Sequence, residues 1–215
     1  MNAPQTSNIR DRNFAIILRA AKQQFATHGL NGARMQVIAD EAGLPKANVH
    51  YYFKNKVSLY LAVIDDIIDR WNEFQHMQVE DDPAEALDRF IRSKVRFSFE
   101  DPVSSRLFAS EILQGAPHLG GYMRNELRPW VKQRVDVING WIAAGKMPEV
   151  DATQLIFLIW SSTQHYADFE PQVLSIMNKP GYSEKMQTEI GDFLSRFILT
   201  GCGLKPPVGN NAHMD

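Results

Sequence analysis

The chain has 215 residues, 44% hydrophobic and 22% charged, enough apolar material for a full core behind an ordinary hydrated surface. One cysteine, Cys202, excludes an internal disulfide framework and suits a reducing cytosol, so a cytoplasmic protein is expected. The polar start MNAPQTSNIRDRN holds no apolar signal core, and the longest apolar run, Leu155 to Trp160, is far too short to cross a bilayer.

The net charge of -2 hides an asymmetry. Residues 1–56 carry eight basic groups (Arg10, Arg12, Arg19, Lys22, Arg34, Lys46, Lys54, Lys56) against three acids (Asp11, Asp40, Glu41), which leaves this segment at +5 and the remainder at -7. A basic module on an acidic body suits a protein that touches a polyanion with one end only.

Helical periodicity runs through nearly the whole chain. Phe14, Ile17, Leu18, Ala21 and Phe25 form one apolar stripe, and Gly29 after His28 is placed to end that helix. Met35 to Ala42 reads as a short second helix with Ile38 and Ala42 inward. Gly43 gives a sharp turn, and Pro45 stands at the entrance to a third helix, Lys46 to Phe53, with Val49 and Phe53 inward. Asn55 is a good N-cap for a fourth, whose stripe is Leu59, Val63, Ile64, Ile67, Ile68, Trp71 and Phe74. Pro83 and Pro102 punctuate the next two, Ala84 to Phe99 and Val103 to Gln114. Longer helical stretches follow at about 123–144, 152–177 and 183–199, with no alternating strand pattern of useful length. The expected fold is all-α. A three-helix helix-turn-helix head over 1–56 precedes a ligand-binding and dimerisation body of about six helices over 57–204, and 205–215 form a disordered tail.

Met35 to Tyr60 is the segment that carries chemistry. In a helix-turn-helix the second helix lies in the major groove while the first crosses the backbone. The face open to bases is Lys46, Ala47, Asn48 and His50; Asn pairs with adenine and Lys reaches guanine acceptors. Tyr51, Tyr52 and Lys56 suit phosphate contacts, which set register rather than sequence.

The run IADEAGLPKANVHYYFKNKVSLY resembles the signature of TetR-family transcriptional regulators, through Ile38-Ala39, Ala42-Gly43, Tyr51-Tyr52-Phe53, Lys56 and Leu59. Two departures bear on which operator is read. Met35 stands where the family often has Thr or Ser, and Ala47-Asn48 replaces the commoner Gly-Thr or Gly-Ser. The body segments SRLFASEILQGAP, GWIAAGKMPEVD and LIFLIWSSTQHYADFEPQV resemble the pyrimidine-utilisation regulators of that family. The resemblance implies a homodimer on a palindromic DNA operator, repression as the default, no cofactor, and a small-molecule effector such as uracil or thymine.

A pyrimidine needs aromatic walls and a few fixed polar groups. Trp71, Lys94, Arg106, Trp160 and Gln164 are the candidates by helical phase, with Gln164 able to match a lactam edge. The plainer readings are core filling for Trp71 and Trp160, and an ion pair of Lys94 with an acid such as Glu111. Ser161, His165 and Asp168 invite a catalytic triad, but positions i, i+4 and i+7 fan along one helix face instead of converging. No nucleophile elbow, phosphate loop or metal-ligand spacing is present, so no enzyme and no metal site are expected. Apolar residues on several faces of the last two helices (Ile156, Phe157, Ile159, Trp160; Ile190, Phe193, Leu194, Phe197, Ile198) point to a four-helix dimer interface. Two alternatives stay open: the same type of repressor with a different effector, a catabolite or lipophilic compound, or a constitutive architectural DNA binder.

Overall fold

The computed structural model describes residues 4–72 and 77–207, which fall into two units divided at residues 73/74, 102/103 and 118/119. Phe74 and the tail from 208 onward, both part of the expectations above, lie outside the described residues.

The first unit holds α1 (Pro4–Gly32), α2 (Met35–Glu41), α3 (Lys46–Tyr52), α4 (Lys56–Asn72) and α6 (Pro102–Leu113). Its core is the inward stripe of each helix: Ile17, Ala21 and Phe25 of α1, Ile38 and Ala39 of α2, Val49 of α3, and Leu59, Val63, Ile64 and Ile67 of α4. Gly29 leaves helical geometry as expected (φ 64°, ψ 175°), but the chain resumes one more turn to Gly32. The expected boundary at residue 56 follows the motif; the compact unit that holds the head also takes in α4, packed on α1, and α6.

The second unit holds α5 (Pro83–Glu100), α7 (Gly120–Tyr122), a π-helical stretch (Met123–Leu127), α8 (Arg128–Ala143), α9 (Ala152–Asp168), α10 (Glu170–Met177) and α11 (Glu184–Gly201). Trp141, Ile138, Leu87, Ile91, Ile156 and Ile159 form the centre of its core. The Trp141 indole, fully buried, donates from Nε1 to the carbonyl of Gln78 at 3.1 Å. Cys202 is buried in the same cluster. Helix starts are set by capping side chains: Asp82 accepts from Glu85 N, Asp151 from Thr153 N and Gln154 N, and Ser183 from Met186 N. α5 and α11 are pinned by Arg92, which bonds Asp88 on its own helix and Asp192 across the pair at 2.7 Å.

Two prolines explain where the long helices break. Pro129 has no N–H and its ring clashes with the turn before it. The ladder opens there into the π-helical stretch, with Arg128 N–H bonding back five residues to Met123 O. Pro171 has no N–H to return to the carbonyl four residues back, and its ring crowds that turn, so it sits in the first turn of a new helix. The run expected as one helix from 152 to 177 therefore splits at Phe169, which is at φ -115° and ψ 27°.

Candidate nucleic-acid interface and effector residues

The turn between α2 and α3 is built by hydrogen bonds that leave a left-handed residue at its corner. Gly43 N–H donates to Asp40 O and Leu44 N–H to Ala39 O, the paired pattern that closes a helix end. Gly43 sits at φ 65°, where any side chain would be strained. Pro45 then enters α3 with φ -57°, and Asn48 N–H bonds its carbonyl. Only Val49 of α3 is buried, with Phe53 just beyond it. Lys46, Ala47, Asn48 and His50 are all exposed, as a groove-reading face requires.

The aromatic run that follows is locked from behind. Phe14 of α1 meets Phe53 at 5.3 Å and Tyr52 at 6.4 Å between ring centroids. Tyr51, 77% exposed, rests edge-on against Tyr52. Tyr51 thus points its hydroxyl to solvent, while Tyr52 is half-buried and fixed. Asn55 caps α4 through a reciprocal pair, Ser58 N–H to Asn55 Oδ1 and Asn55 N–H to Ser58 Oγ. Lys56 was expected to face phosphate. Its ammonium instead donates to Asn31 O at 2.9 Å and Ala33 O at 3.0 Å, tying the start of α4 to the turn before α2. An ammonium has three donors, so one remains for a phosphate.

The candidate effector residues divide between the units. In the first, Trp71 is half-buried and meets Phe108 edge-on at 5.1 Å, and Arg106 lies half-buried on α6. In the second, Lys94 is buried on α5, as its alignment with Leu87, Phe90 and Ile91 implied. Burial lowers its ammonium to about 8, and the carboxylate of Asp168 offsets part of that fall. Asp168, in the same unit, is an acid that acts on Lys94, while Glu111 accepts from Tyr60 Oη and His118 N–H. Trp160 packs on Trp130 (5.8 Å) and Phe157 (6.0 Å), which favours the core-filling reading for its ring. Gln164 is half-buried on the same helix. The triad geometry does not form: Ser161 Oγ donates to Leu158 O on its own helix, and His165 stacks on Phe169 at 5.1 Å.

α9 and α11 leave apolar side chains uncovered. Phe157 and Leu158 are 47% and 48% exposed, and Phe193 and Phe197 are 50% and 66% exposed with their rings stacked at 5.8 Å. A groove of about 630 Å³ runs between the helices, lined by Leu155, Phe157, Leu158, Phe197 and Ile198 among others.

Comparison with known proteins decides the family. Residues 17–63 match the family described as bacterial regulatory proteins, tetR family, and residues 64–205 match the YcdC-like C-terminal region of such proteins. The chain belongs to the TetR family. It is 37% identical over 186 residues to the HTH-type transcriptional regulator RutR of Escherichia coli (strain K12), covering 86% of this chain and 88% of RutR. It is 27% identical over 150 residues to the transcriptional repressor NicS of Pseudomonas putida, covering 68% of this chain and 67% of NicS. Among solved structures, a Clostridium perfringens putative fatty acid metabolism regulator superposes with a TM-score of 0.71 at 23% identity, covering 88% of this chain and all of that one. AibR, solved with isovaleryl coenzyme A and operator DNA, superposes with a TM-score of 0.68 at 19% identity, covering 91% of this chain and 99% of AibR. As a TetR-family member the protein is a DNA-binding transcriptional regulator and not an enzyme. Among the described residues, no helix is long and apolar enough to cross a membrane and no cluster of ligating side chains could hold a metal.

Proposed function

We propose that this TetR-family regulator is a homodimeric repressor that releases a palindromic operator when a pyrimidine such as uracil or thymine binds its body. The observation that carries the effector class is the similarity to RutR, which extends through the body as well as the head. The chemistry of the second unit agrees: buried Lys94 beside Asp168 and half-buried Gln164 supply donors and an acceptor of the kind a lactam ring pairs with. Trp160, in the same unit, completes the proposed effector contacts there.

The DNA contacts follow from exposure. Lys46, Ala47, Asn48 and His50 read base edges; Tyr51, Tyr52 and the free donor of Lys56 hold phosphates. Pairing of two copies through α9 and α11 covers Phe157, Leu158, Phe193 and Phe197, and gives two reading heads for a two-fold operator. Release requires that effector bind the DNA-incompetent state more tightly than the competent one.

A thermal-shift screen of uracil, thymine and cytosine, paired with fluorescence anisotropy on the DNA upstream of its own gene, tests the reading. Uracil or thymine should raise Tm and weaken DNA binding. If neither does either, the pyrimidine assignment fails while the DNA-binding assignment stands.

A further inference from the structure

Helix α6 turns one face to its neighbours within the first unit. Ser104, Phe108 and Glu111 fall at i, i+4 and i+7, on one side of the helix. Each meets the head at a different point. Ser104 Oγ, buried, accepts from Lys22 Nζ of α1 at 3.2 Å. Phe108 packs edge-on against Trp71 near the end of α4. Glu111 meets Tyr60, one turn into α4.

The third contact is the most heavily built. Glu111 is only 3% exposed, and a buried carboxylate is tolerated only where donors satisfy it. Its Oε2 accepts from Tyr60 Oη at 2.7 Å, and its Oε1 accepts from His118 N–H, also at 2.7 Å. The His118 ring lies close as well, its Nδ1 3.3 Å from Oε1 but without a hydrogen bond to it. Tyr60 is itself boxed by rings, Phe25 of α1 at 5.1 Å and His118 at 5.6 Å. Burial first, and then Glu111, push the Tyr60 hydroxyl far above its ordinary value, so it stays a donor throughout the physiological range. The chain bends back sharply after α6 to reach the carboxylate: Gly115 at φ 87° is followed by Ala116 at φ 54°, a left-handed position that disfavours alanine, with Ala116 N–H returned to Glu111 O. Strain of that kind persists where surrounding contacts over-determine it.

We propose that Glu111 is a positioning residue for DNA reading: by joining Tyr60 to the backbone of His118 it fixes the angle of α4 behind the reading helices. The next link is already in place. α4 begins at Lys56, whose ammonium holds the carbonyls of Asn31 and Ala33 just before α2, so a tilt of α4 is delivered to α2 and α3. This inference rests on the proposed reading head and the proposed pairing of two copies, and not on any choice of effector.

The test uses the full-length protein and an operator selected by it from a random duplex pool. Duplexes whose half-sites are one base pair closer or farther apart complete the set. Tyr60→Phe removes one hydroxyl without changing shape; Glu111→Gln keeps an acceptor for Tyr60 but sets an NH2 group against the His118 N–H. Anisotropy titrations are run at a temperature where circular dichroism shows both variants fully folded. Each variant should bind the selected operator roughly 10-fold or more weakly, and its preference for that spacing over the two altered ones should flatten. A variant with a lower Tm but affinity and spacing preference within twofold of the parent overturns the proposal, since Glu111 is then purely structural. Equal weakening at all three spacings also overturns it. If Glu111→Gln does not fold, Tyr60→Phe alone decides.

Discussion

Helices α3 and α9 each leave a face uncovered, and the two faces are opposite in chemistry. α3 buries Val49 and presents Lys46, Asn48 and His50. α9 buries Ile156 and Ile159 and presents Phe157 and Leu158. Exposed donors and acceptors keep their hydration until a partner of matching pattern replaces it, so such a face is stable alone and selective in company. Exposed aromatic carbon gains from any apolar cover, and α11 extends it with stacked Phe193 and Phe197. The first face is suited to reading, the second to lasting pairing.

Substitutions can break or sharpen that contrast. The largest effect should come from Phe193→Asp with Phe197→Asp. Carboxylates buried at a pairing face cost several kcal/mol each, so the double variant should sediment as a monomer and lose more than about 100-fold in operator affinity. Next, Asn48→Ala should cost about 1–3 kcal/mol of discrimination at one base position and leave Tm unchanged, read by competition with single-base operator variants. If Asn48→Ala lowers Tm instead, α3 is packing and not reading. A smaller loss, about 1 kcal/mol of stability in urea melts, should follow Lys56→Met, which deletes the bonds to Asn31 O and Ala33 O.

The smallest signal is a pH slope. Burial holds the Lys94 ammonium at about 8 in the folded protein against an ordinary 10.5, with Asp168 offsetting part of the fall. The folded chain therefore gives up this proton before the unfolded chain does. Stability is penalised in full below about 8 and should recover as pH climbs toward 10.5. Lys94→Met should flatten that recovery in melts taken across the window.

The head was legible almost residue by residue, because its signals are local. Gly43 at the corner, Pro45 at the entrance and Asn55 at the cap each act within a few residues, and the helices begin and end where those residues place them. The stripe on α4 gives its core from Leu59 to Ile68 for the same reason; Trp71 is only half-buried, and Phe74 falls outside the described residues. Where a proline interrupts an apolar period, the period alone misplaces the helix end. Glu170-Pro171 was a readable signal for the break after α9, and Arg128-Pro129 for the π-helical stretch. What sequence could not yield was partner choice among charges. Glu111 looked like a mate for Lys94, but pairing between side chains far apart in the chain is settled by packing, and no spacing rule encodes Glu111 with Tyr60 or Lys94 with Asp168.

Cys202 has a use that follows from where it sits. The lone thiol closes α11 inside the core of the second unit, and burial holds its proton on beyond the ordinary range. A thiol reagent at neutral pH therefore finds almost no thiolate until the C-terminal helix opens. The labelling rate of the unmodified protein becomes a built-in clock for that opening, and an added ligand or DNA that slows the clock reports its own binding energy without any engineered probe.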